Sequence, residues 1–117
     1  MSIQSDLFRQ LSEAILTSPG EFQPAVRSAI EARSEAMGSG IAPQSDGVPS
    51  ALASYVHTVA LHAYRVTDED IQALLKLGYS EDAIFEVTLC AALGAGMERL
   101  KRGMKALEGG IDAAQVS

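Results

Sequence analysis

Two histidines, one cysteine and a few well-placed carboxylates carry most of the chemistry that this 117-residue chain could perform. His57 and His62 lie five positions apart, about 140° around a helix, so they do not project together as an i, i+4 metal pair would. With no third ligand in register, no metal site is expected. Either imidazole, paired with Glu69, Glu86 or a carboxylate of another subunit, would form a general acid/base. The plainer reading puts one on a partly wet face and the other in a hydrogen bond of the core or interface. Cys90 stands in the apolar run VTLCAALGAGM, from Val87 to Met97. A one-cysteine peroxidatic thiol there would need a nearby cation and an opening to solvent. Glu86, one turn earlier, would instead raise the thiol pKa, and the surroundings favour a small core residue. Tyr55 and Tyr64 read as packing residues with hydrogen-bonded hydroxyls. Glu98 and Arg102 form an i, i+4 pair. Arg99, if turned inward, would bridge to Glu69, Asp70 or Glu86.

These residues must be positioned by helices, because no sustained period-two alternation marks a strand. Ser5 caps a first helix to about Leu16, with Leu7, Phe8, Leu11, Ala14 and Ile15 as one apolar stripe, and Ser18-Pro19-Gly20 stops it. Pro24 opens a second helix to about Met37, whose thin apolar face (Val26, Ala29, Ile30, Ala36) predicts a place on the outside of the bundle. Gly38 to Val48 reads as a loop; it lacks the strand and the lysine of a phosphate-cradling turn. The third helix, about Pro49 to Tyr64, contains no Asp, Glu, Lys or Arg. Thr67 and Asp70 make a capping box for a short helix that closes at Gly78. Ser80 then caps a long helix from Glu81 to about Lys105, charged at its ends and charge-free in its middle. The helix–turn–helix corner at Gly78 is a poor DNA reader, since the second helix begins acidic and becomes apolar. The EGGIDAAQVS segment, residues 108–117, is expected to be a flexible tail after a single helical domain over 1–107.

A formal net charge of −6 argues against nucleic acid or an anionic membrane surface as partner. The one basic cluster, Arg99, Lys101, Arg102 and Lys105, suits a solvated helix end, with a docking patch for an acidic protein partner as the alternative. No apolar run approaches the ~20 residues of a membrane span. A lone cysteine and a polar N-terminal stretch without a leader pattern predict a cytoplasmic protein. No cofactor is implied. The fold class is all-α, about five helices around the long one at roughly 81–105. Two helices with charge-free middles are hard to cover in a small chain, which predicts a homo-oligomer. Gly94 and Gly96 each cost ~1 kcal/mol in a helix interior, so another helix, read as a second copy, is expected to approach there, with a local kink as the alternative.

The segment His62 to Leu100, HAYRVTDEDIQALLKLGYSEDAIFEVTLCAALGAGMERL, resembles the C-terminal part of the carboxymuconolactone decarboxylase and alkylhydroperoxidase D-like families. The resemblance rests on VTDEDIQALLKLGYSEDAIFEVTL and on Arg99 after the small-residue helix. It implies an all-α fold whose long helix packs against its counterparts in a dimer, trimer or ring. The family's thiol peroxidases use a Cys-x-x-Cys pair followed after three residues by His. Counting back from Gly78, those positions fall on Ala63, Val66 and Asp70, and none matches. The expectation is therefore a self-associating structural or interaction module without thiol peroxidase activity. Its rivals are a small-molecule enzyme of the decarboxylase side, using His57 or His62 with Glu86 in an intersubunit pocket, and a one-cysteine peroxidase at Cys90.

Overall fold

The computed structural model describes residues 3–38 and 47–116, with side chains placed over 6–38 and 47–109. Five α-helices and one short 3-10 turn follow in order: α1 (Ile3–Thr17), α2 (Pro24–Gly38), α3 (Ser50–His62), the 3-10 turn Ala63–Arg65, α4 (Asp68–Lys76) and α5 (Glu81–Val116). No strand occurs among the described residues, so the all-α expectation holds. No helix among them is long and apolar enough to cross a membrane. The Gly38–Val48 loop lies mostly outside the described residues.

The termini of α4 follow the local sequence closely. Thr67 Oγ1 accepts from Asp70 N at 3.3 Å while Asp70 Oδ2 accepts from Thr67 N at 2.9 Å, a reciprocal capping box. Gly78 adopts φ +99° and ends the helix; Tyr79 N reaches Leu74 O and Gly78 N reaches Leu75 O, the Schellman pattern. Ser80 Oγ then accepts from Ala83 N at 3.0 Å and opens α5.

Helix α5 is the spine. Its contacts with α2 advance together along both chains: Arg27 meets Glu86, Ser34 Oγ donates to Ala91 O, and Lys101 pairs with Glu35, so the two helices run in the same direction. Tyr55 at Thr88 and Ala60 at Arg99 set α3 in that direction too. Helix α1 runs the other way, with Phe8 near Gly96 and Gly20 near Glu86. The core between them is built from Ile30, Leu52, Val56, Val59, Ile84, Val87 and Cys90, with Leu74 of α4 closing one side.

Four expectations need correction here. First, α2 is not an outer helix: Arg27, Ile30 and Ser34 are its buried residues and it lies along the middle of α5. Its inward face is narrow because it seats against glycine. Second, the approach at Gly94 comes from within the chain. A Cβ at Gly94 would collide with the Glu31 carbonyl oxygen and lie 2.9 Å from Ser34 Cβ. The charge-free middles of α3 and α5 are thus largely covered by α2 and by each other. Third, α5 does not stop near Lys105: helix continues through the expected tail to Val116, 36 residues in all. At 1.5 Å per residue it spans ~54 Å, which sets the 59 Å long axis of the molecule. Helix α3 is also shorter than expected, giving way at Ala63 to the 3-10 turn.

Candidate functional site

A concentrated polar arrangement lies where the α1–α2 turn meets α5. Ser18-Pro19-Gly20 ends α1 and sends the backbone across the Glu86 side chain. Glu86 Oε2 accepts from Glu21 N at 2.6 Å and Oε1 accepts from Phe22 N at 3.1 Å. Gly20 is what permits this: a Cβ there would lie 2.5 Å from the carboxylate oxygen. Arg27, 2% exposed, points its Nε at Glu86 Oε1 from 3.4 Å while Nη1 donates to Ile15 O at 2.7 Å. The Nε has no hydrogen-bond partner, so the Glu86 contact there is an ion pair without hydrogen-bond geometry. A buried guanidinium costs several kcal/mol unless its charge is answered, and Glu86 answers it. Outside this pair, a shallow cleft of about 300 Å³ is walled by Ser18, Pro19, Phe22, Gln23 and Arg27.

Cys90, one turn after Glu86, is fully buried. Burial pushes its thiol up to about 11; Arg27 pulls the other way, and Glu86 and Glu31 add to the rise. Of the predicted site residues, the structure therefore brings Glu86 and Cys90 into one cluster and adds Arg27 to it. The histidines do not join. His57 is exposed on α3, and His62, half-buried, meets Tyr64 edge-on with ring centroids 6.0 Å apart. The contacts of the Glu86 carboxylate are Arg27 and the backbone of Glu21 and Phe22, not an imidazole. Among the described residues no group of three or more His, Cys, Asp or Glu is placed to hold a metal ion.

The remaining candidates settle into structural roles. Tyr55 Oη and Thr88 Oγ1 are 2.6 Å apart; since Thr88 donates to Ile84 O, the tyrosine is the donor. Arg99 does not bridge to Glu69, Asp70 or Glu86; it is exposed and donates to Ala60 O at 3.3 Å. Arg102 holds Glu98 at 2.9 Å, as its spacing predicted, and also donates to Gly38 O. Lys101 pairs with Glu35. Three of the four basic residues in the cluster thus tie α5 to α2 and α3.

Arg27, Gly20 and Ser34 escaped the sequence reading. Arg27, Ile30 and Ser34 recur at intervals of three and four, so an arginine in the buried register of a helix was the available signal. Its partner could not be read, because Glu86 is 59 residues further on. No protein-family model matches the chain, and no curated protein and no solved structure is significantly similar to it.

Proposed function

We propose that the chain is a self-associating helical interaction module of the carboxymuconolactone decarboxylase and alkylhydroperoxidase D-like type, without thiol peroxidase activity, in a cytoplasmic setting. The observation that carries self-association is the set of large apolar side chains turned to solvent: Leu7 and Leu11 on α1, and Phe85 and Leu107 on α5, each more than half exposed. Leu7 and Leu11, one turn apart on α1, make a paired apolar strip that favours a docked partner over water. The family reading rests on the run VTDEDIQALLKLGYSEDAIFEVTL and on Arg99 after it, and the capping box and Gly78 turn lie within that run.

The chemistry at hand supports a structural use of the polar cluster. Both oxygens of Glu86 are engaged by backbone and Arg27, so the carboxylate clamps the α1–α2 turn onto α5. Cys90 is closed to solvent and its thiol is held protonated at neutral pH. An enzyme using His57 or His62 with Glu86 would need the carboxylate released from Arg27. Light scattering across a concentration series tests the proposal: dimers or larger species are expected, and a monomer throughout would overturn it.

A further inference from the structure

The long helix continues well past the bundle that it organises. Among the described residues, the last hydrogen bond from α5 to another helix is Arg102 to Gly38 O, and a Cβ at Gly103 or Gly109 would meet nothing within 4 Å. Beyond Arg102 lie 14 helical residues, to Val116. A free helix of that length is marginal in water, and glycines at 109 and 110 each weaken it by ~1 kcal/mol. This helix needs a partner to persist.

The sequence on it describes the partner. Leu100, Met104, Leu107, Ile111 and Ala114 recur at intervals of four, three, four and three, the seam spacing of a coiled coil. Leu107 is 63% exposed, and Leu100 and Met104 are half-buried. Lys101 and Glu108 sit one heptad apart on one flank of that seam, and Gly103 and Gly110 occupy the other. We infer that residues 100–114 of α5 dock antiparallel against the same segment of a second copy, about a two-fold axis near Lys105. This inference rests on the self-association proposed above and gives its surface.

Charge selects both the occupant and its direction. In an antiparallel pair, like flanks meet, so Lys101 of each copy faces Glu108 of the other, twice per dimer. In a parallel pair, this flank would meet the glycine flank and no charges would be matched. The antiparallel register also sets Met104 against Leu107, the exposed leucine of the seam. The contact is self-complementary, as a two-fold interface must be. The ammonium of Lys101 can serve Glu35 of its own chain and Glu108 of the other, because it is 65% exposed.

Sedimentation equilibrium at low salt tests this with Leu107→Asp, Lys101→Glu, Glu108→Lys and the double charge swap. The wild-type chain is expected to be a dimer. Leu107→Asp buries two carboxylates in the seam and should weaken it at least about a hundredfold. Each single reversal should weaken the dimer roughly fivefold or more, and the swap should bring it back towards the wild type although Lys101→Glu also gives up the Glu35 pair. Positions 101 and 108 are seven apart, too far for an intrahelical pair, so recovery reads contact between copies. If the wild type associates but neither Leu107→Asp nor the reversals move it, the antiparallel seam is wrong and the self-association stands. If the wild type is monomeric throughout, both readings fall.

Discussion

Cys90 lies one helical turn beyond Glu86 with Arg27 beside both, so its thiol feels two opposed charges inside a dry core. Burial dominates, and the thiol titrates near 11. At pH 8, a maleimide should therefore leave native protein unmodified and label it fully in denaturant; rapid native labelling would revive the peroxidase reading. Glu31 offers a second titration. Burial lifts its carboxyl above the usual range, the neighbouring Glu35 adds to this, and Lys101 opposes it. A folded carboxyl raised above its unfolded value contributes stability that is full below the unfolded value and lost as pH rises through the folded one. Glu31→Gln keeps the neutral form at every pH. It should raise Tm at pH 7, with the gain shrinking as pH falls towards the ordinary value of 4.5. An unchanged Tm at pH 7 would mean that the residue is fully solvated. The Glu86 clamp can be tested by a cycle. Glu86→Ala strands the Arg27 charge and should cost about 3 kcal/mol or more. Gly20→Ala should cost about 1–2 kcal/mol alone and little once Glu86 is gone, a coupling expected of residues in contact.

Between elements, backbone proximity decides what a side chain can do. Gly94 is the narrowest point between α2 and α5. Adding one methyl there gains ~1 kcal/mol of helix propensity but forces α2 outward, so Gly94→Ala should still lose about 1–3 kcal/mol in denaturant melts. Gly103→Ala, on the same helix with open space around it, should instead gain up to ~1 kcal/mol. The contrast separates tertiary crowding from helix propensity, and equal signs at the two sites would refute it. The same distinction explains what the sequence could and could not disclose. The caps at Thr67, Asp70, Gly78 and Ser80 are local hydrogen-bonding patterns within a few residues, and each was legible. The stripe on α1 was legible as helix but not as surface. Phe8, Ile15 and Leu16 pack inward, while Leu7 and Leu11 face solvent, a choice made by where α1 crosses α5. The placement of α2 was misread because its interior residues are Arg27 and Ser34, polar types whose partners, Glu86 and the Ala91 carbonyl, lie more than fifty residues away. Of the candidate site, Glu86 and Cys90 were visible as neighbours on one helix turn; the guanidinium that joins them was not.

At the scale of the molecule, a bundle and a projecting half-helix share one continuous spine, and their stabilities should separate. The bundle's core residues, from Ile30 to Ala91, and its ties at Lys101 and Arg102 all precede Gly103. A chain ended after Ala106 keeps every one of them. Its Tm in dilute solution should thus stay within a few degrees of the full chain's, since less than about 1 kcal/mol is removed from the bundle. The full chain should differ in a way that the shortened one cannot. Its far-UV helical signal should rise with protein concentration as residues 103–116 find a second copy, and its Tm should rise with it, because binding that requires the folded state stabilises that state by mass action. The shortened chain should show neither dependence. If shortening instead collapses the bundle at micromolar concentration, the projecting half is part of the fold; if both chains show the same concentration dependence, the exposed faces of α1 and of Phe85 hold the copies together instead.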